Sequence, residues 1–222
     1  MGLDMYLERF PRYKNYGPDA MGAVNSYIEW LNNERAKCYT FEEWSGVKEG
    51  VLPQGEDLDY LIGLSKTQYY AWDDEKRLPH EGITEHVGYW RKANAVHKWF
   101  VDYVQGGIDD CEYHDEVTKG DLEDLMGLCE EILENSVLVV GKVQNGYRWN
   151  GKREVPIYED GKLIMNPEVC KRLLPCADGF FFGNQEYNEW YLYDIRKTFE
   201  ICNRVLAETD FDKQMVYYCS SW

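Results

Sequence analysis

Trp90, Arg91, Asn94, His97 and Lys98 fall within nine residues and bring together an indole, two cations, an amide and an imidazole. Such a set has the parts of a nucleotide site. Cations clamp phosphate, an indole stacks on a base, and an amide reads the base edge. The plainer alternative is a core helix whose Asn and His bond to a neighbouring loop, because buried polar groups are satisfied in native proteins. Tyr89, Ala93, Val96, Phe100 and Val104 recur at helical spacing, which predicts a core-facing stripe. Trp90, Asn94, His97 and Val101 form a second stripe beside it.

Three further groups have chemistry-bearing types. His97, Asp109, Asp110, Cys111 and His114 are competent metal ligands, and they motivate a metal-dependent nucleotide hydrolase as one reading. None shows HExxH or CxxC spacing, and Asp109-Asp110 suits a turn, so no metal, catalytic residue or cofactor is assigned. Cys111 beside His114 could form a thiolate–imidazole pair, but the surrounding acids oppose thiol ionisation. Gly183-Asn184-Gln185-Glu186-Tyr187-Asn188-Glu189-Trp190 leads from a strand into a helix start, where main-chain donors can hold an anion. Glu186 and Glu189 already answer the helix dipole there, which favours capping.

These groups need positioning elements. The patterning predicts helices over 19–37, 58–72, 84–105 and 186–208, the third running from Thr84 to a stop at Gly106-Gly107. Another begins at Thr118 and places Leu122, Leu125, Cys129 and Ile132 on one face. Strands are expected at 2–7, 179–183 and 214–222. Asn145-Gly146, Asn150-Gly151 and Asp160-Gly161 divide 137–165 into short strands, a β-hairpin excursion. The expected fold is α+β, a single domain over 1–222 with about five helices and a mixed or antiparallel sheet.

The 222 residues carry a formal charge of -16, from 24 bases and 40 acids. That field disfavours nonspecific nucleic-acid binding and anionic membranes. Residues 109–134 hold eleven acids and one base, Lys119. Such a run is usually a solvated helix face. Its sharper reading is a protein inhibitor or nucleic-acid mimic that occupies a basic groove on a host defence protein. The 18 Tyr and 8 Trp argue against disorder. Seven scattered cysteines without a CxxC pair, no signal-peptide pattern and no membrane-length apolar run lead us to expect a cytoplasmic protein with reduced thiols.

The Gly-Leu-Asp-Met-Tyr-Leu start at Gly2 to Leu7 is one of several long motifs. Val-Gly-Tyr-Trp-Arg-Lys-Ala-Asn stands at Val87 to Asn94, and Asp-Asp-Cys at Asp109 to Cys111. Gly-Phe-Phe-Phe-Gly opens at Gly179 before an acidic-aromatic helix, and the chain ends Ser220-Ser221-Trp222. On these motifs, across nearly its whole length, the chain resembles a family of uncharacterised phage and prophage proteins. It departs from them at Pro175-Cys176-Ala177-Asp178, where the family reads Pro-Thr-Gln-Ser. Members often carry a phosphoglycerate kinase designation, but that enzyme is a much longer two-domain protein, and this chain lacks a GxxxxGK[ST] loop. The resemblance therefore implies an origin, a phage accessory gene. With the residue reading it leads to an expectation of binding rather than turnover. The expected activity is counter-defence by sequestering a small nucleotide immune signal in the host cytoplasm, through Trp90, Arg91, Asn94, His97 and Lys98, as a homo-oligomer. The acidic inhibitor and the metal-dependent hydrolase stand as alternatives.

Overall fold

A computed structural model describes residues 2–69, 79–179 and 182–222. Its helices are α1 (Pro18–Asn32), α2 (Phe41–Ser45), α3 (Glu56–Gly63), α4 (Asn94–Tyr103), α5 (Lys119–Asn135), α6 (Glu168–Leu173) and α7 (Glu189–Glu208). Its strands are β1 (Asp4–Pro11), β2 (Lys66–Tyr69), β3 (Pro79–Gly82), β4 (Glu85–Arg91), β5 (Leu138–Trp149), β6 (Glu154–Ile164) and β7 (Gln214–Ser221). The strands form three small antiparallel sheets, ordered β4-β1-β7, β2-β3 and β5-β6, so the fold is α+β. The expected five helices become seven among the described residues, because α2 and α6 are short pieces of five and six residues. None of these helices is long and apolar enough to cross a membrane.

Two compact units can be distinguished. One comprises Tyr6–Tyr89 and Thr209–Cys219. In it α1 starts at Pro18, whose fixed φ suits a first helical turn, and buries Ala20, Met21, Ala23, Val24 and Ile28. Asn25 on α1 accepts the Ile83 N–H at 2.7 Å and bonds Thr84. Asp57 at the start of α3 accepts from the hydroxyls of Tyr13 (3.0 Å) and Tyr16 (2.8 Å) and pairs with Lys14. The helix expected over 58–72 ends at Gly63. Thr67, Gln68 and Tyr69 form β2 instead, where β-branched and aromatic residues fit, and residues 70–72 lie outside the described residues.

The second unit comprises Met1–Met5, Trp90–Glu208 and Ser220–Trp222. Here α5 packs on α7. Leu122, Leu125, Cys129 and Ile132 are buried on α5, and Ile195, Cys202 and Val205 on α7. Thr118 caps α5 in a reciprocal box with Asp121.

The helix expected over 84–105 is corrected. Residues 85–91 are strand, and helix begins only at Asn94. Lys92 interrupts the two with φ +60, and its N–H donates to the Leu3 carbonyl at 2.7 Å. The helical spacing is real from Ala93 onward, where Val96, Phe100 and Val104 are buried. Trp90 reaches the core as a strand residue. The 137–165 excursion is one long hairpin. Asn150-Gly151 makes its turn, with the Asn150 side-chain Oδ1 accepting from the backbone N–H groups of Lys152 and Arg153. Asn145-Gly146 falls at a bulge, and Gly161 lies within the ladder opposite Gly141, so neither dipeptide is a turn. The expected strand over 179–183 includes Phe180 and Phe181, outside the described residues. Phe182 and Gly183 are not strand.

Candidate ligand cavity

A cavity of about 1020 Å³ opens within the second unit. Its walls are the β4–α4 junction, the middle of the β5–β6 hairpin, residues 176, 178 and 183–186, and the first turns of α7.

The junction is built by unusual backbone. Lys92 is left-handed, and Ala93 follows at φ -77, ψ 67, an inverse γ-turn closed by the Asn94 N–H on the Lys92 carbonyl at 2.9 Å. The sharp reversal sets Arg91, Lys92 and the first turn of α4 along one wall. Arg91 is exposed, its Nε 3.9 Å from Asp4. Asn94 is buried and saturated. Its amide donates to the carbonyls of Phe182 (3.0 Å) and Asn184 (2.9 Å), and its Oδ1 accepts from the Ala177 N–H at 3.1 Å. It therefore clamps the opposite wall.

The segment before α7 is fixed by its polar side chains. Asn188 caps α7 by accepting the N–H groups of Trp190 and Tyr191. Glu186 accepts from the Gln144 N–H at 2.8 Å, and Glu189 from the Lys162 N–H at 3.1 Å. Both carboxylates thus hold the hairpin, which fits the structural reading of Gly183 to Trp190. Asp178 accepts from the Gln185 amide at 2.6 Å.

Asp194 also faces the cavity. Burial pushes its carboxyl up to about 7, with Lys197 pulling weakly the other way. A carboxyl held near neutrality in a concave site is a functional-site signature. Cys176 lines the same wall, but burial raises its thiol to about 11, partly offset by a hydrogen bond to Tyr187, so it stays protonated at neutral pH. Tyr147, Trp190 and Tyr193 expose their rings around the opening.

Of the five residues singled out by sequence, Arg91 and Asn94 line this cavity. Trp90 is fully buried, donating from its indole to Thr198 at 2.9 Å. His97 is buried, 3.1 Å from Asp109 and edge-on to Phe182, with burial lowering its pKa against the pull of Asp109. Lys98 pairs with Asp102 on an exposed face of α4 at 2.6 Å. The candidate metal residues separate into two pairs, His97–Asp109 and His114–Asp110, and Cys111 is exposed. Among the described residues no three His, Cys, Asp or Glu side chains gather as a metal set. Sequence reasoning missed Lys92, Asp194 and Tyr193, and took Trp190 only as the end of the Gly183–Trp190 segment. The available signal was that Trp190 and Tyr193 sit three apart, off the buried stripe of α7.

Chemically, the cavity offers two cations, Arg91 and Lys92, to an anion, exposed rings to a planar group, and four carboxyls, Glu159, Asp178, Glu186 and Asp194, to N–H donors. Comparison with known proteins finds no family model, characterised protein or solved structure that matches the chain.

Proposed function

We propose that the chain is a phage accessory protein of the host cytoplasm that acts by binding, and that its cavity sequesters a small nucleotide signal. The observation that carries this reading is the joint placement of Arg91 and Lys92 with Trp190, Tyr193 and Asp194 around one cavity. Its size suits a nucleotide, since small-molecule sites commonly occupy about 300–1,000 Å³. The cations meet phosphate, a ring stacks on the base, and Asp194 takes the N–H donors of the base edge. The phage-type motifs support the biological setting.

The contributing set differs from the five residues first singled out. Arg91 keeps its ligand role and Asn94 builds the wall, whereas Lys98 points to its own pair with Asp102. Calorimetric titration with cyclic mononucleotides, cyclic dinucleotides and ADP-ribose-type compounds tests the proposal. One class binds, Arg91→Ala weakens that binding about tenfold or more, and Lys98→Ala leaves it unchanged. Failure of every compound in the panel to bind would overturn it.

A further inference from the structure

The β5–β6 hairpin projects an apolar surface, of which Tyr147 also lines the cavity. Among the described residues, nine of the seventeen exposed large hydrophobic side chains lie in 137–165. Val140 is 85 % exposed, Trp149 65 %, Tyr147 61 % and Tyr158 54 %. A two-stranded ribbon is marginal alone in water and gains stability from a third strand or a packed face. The ribbon forms a ladder only with itself; β6 is bridged at its end to Asn188, where the Ile164 N–H donates to the Tyr187 carbonyl at 3.0 Å. Among the described residues, hydrogen bonds from the ribbon to the rest of the unit reach as far as Gln144 on β5 and Lys162 on β6. The outer half, from Tyr147 round to Tyr158, is held by the ladder alone among the described residues.

Charge identifies the occupant. Residues 137–165 carry five bases and three acids, a net of +2 in a chain of -16. The bases concentrate at the tip, at Arg148, Lys152 and Arg153, all exposed. The base of the ribbon is aliphatic and adjoins acid. It carries Val137, Leu138, Val139 and Val140 exposed, directly after the α5 stripe of Glu123, Glu130 and Glu134, which faces away from the buried Leu122, Leu125, Cys129 and Ile132. Each ribbon therefore has a basic, aromatic tip and an aliphatic base that follows the acidic face of α5, the strand between them being about 40 Å long over twelve residues. Two such surfaces placed head to tail about a two-fold axis complement each other at both ends.

We infer that two copies of the chain pair through their ribbons, the tip of each lying on the base of the other. Trp149 and Tyr158 of one copy cover Leu138 and Val140 of the second, which share their face of the ribbon, and Arg148, Lys152 and Arg153 meet Glu130 and Glu134. This inference is independent of the nucleotide reading.

Sedimentation of the purified chain and its charge-reversed variants tests the pairing. The wild type sediments as a dimer that dissociates on dilution, and added salt weakens it. Reversing the tip (Arg148→Glu, Lys152→Glu, Arg153→Glu) or the base (Glu130→Lys, Glu134→Lys) weakens association about tenfold or more. The reversed side chains are all exposed, and circular dichroism verifies the folds. Mixing the two reversed variants, or combining both sets in one chain, restores the dimer. A wild type that stays monomeric, reversals without effect, or reversals that mixing does not rescue would each overturn the inference. So would association with an acidic protein or a nucleic acid in place of a second copy.

Discussion

The Lys92 side chain lies against Gly183, two residues that share left-handed backbone at φ +60 and +85. A Cβ at position 183 would stand 3.2 Å from the Lys92 Cβ, in a conformation that L side chains rarely adopt. Gly183→Ala therefore meets both backbone strain and a close contact, and lowers stability by about 2 kcal/mol in urea unfolding. Lys92→Gly has the opposite character. It relieves the left-handed lysine while adding chain entropy, so stability stays within about 0.5 kcal/mol. It also removes one cavity cation. Unchanged unfolding with weakened nucleotide binding would assign Lys92 to the ligand, whereas weakened unfolding with intact binding would refute that role.

Asn94 bridges two carbonyls and one N–H across the cavity floor, so the order of damage among its variants is informative. Asn94→Ala leaves those three groups unpaired and costs about 2 kcal/mol. Asn94→Asp sets carboxylate oxygens against the carbonyls of Phe182 and Asn184, and costs roughly 3 kcal/mol or more at neutral pH. An aspartate variant more stable than the alanine variant would contradict the donor assignment.

Trp90 headed the candidate ligand set, and the structure gives it a different job. Its indole donates to the Thr198 hydroxyl, which in turn donates to the Asp194 carbonyl at 2.7 Å. Trp90→Phe keeps most of the ring volume and loses one buried hydrogen bond, costing about 1 kcal/mol, while Trp90→Ala costs about 3–5 kcal/mol. Nucleotide affinity measured on the folded Phe variant remains that of wild type. A selective loss of affinity there would return the indole to the site.

Legibility followed the range of the forces involved. The α5 start was readable because the Thr118–Asp121 box is local and the buried stripe Leu122, Leu125, Cys129, Ile132 repeats at helical spacing. The β7 strand was readable from its own β-formers. Residues 84–93 were misread because Tyr89, Ala93 and Val96 mimic a helical stripe, while sheet pairing, which a local window does not contain, decided the outcome. Arg91 and Asn94 reached the cavity because they flank the strand–helix junction, not because they share a helix face. Asp194 was visible only as one acid among many, since its burial depends on residues distant in sequence, Cys176 among them.

That burial gives Asp194 a pH signature with a defined sign. Its carboxyl titrates at about 7 in the fold against 3.8 ordinarily, so between those values the folded state holds the extra proton. Stability from this group is present below pH 3.8 and falls as pH rises through 7. At 1.36 kcal/mol per unit the loss is at most about 4 kcal/mol. Asp194→Asn removes the ionisation while keeping the shape. Its melting temperature matches wild type at about pH 3.5 and exceeds it at about pH 8. An equal offset at both pH values would show that the carboxyl is not held near neutrality by burial. The same group should report on ligand. A base edge that donates two N–H bonds favours the ionised form, so binding releases a proton near neutral pH and strengthens as pH rises. Calorimetry in buffers of different ionisation enthalpy reads that proton directly, and its disappearance in Asp194→Asn locates it at this residue.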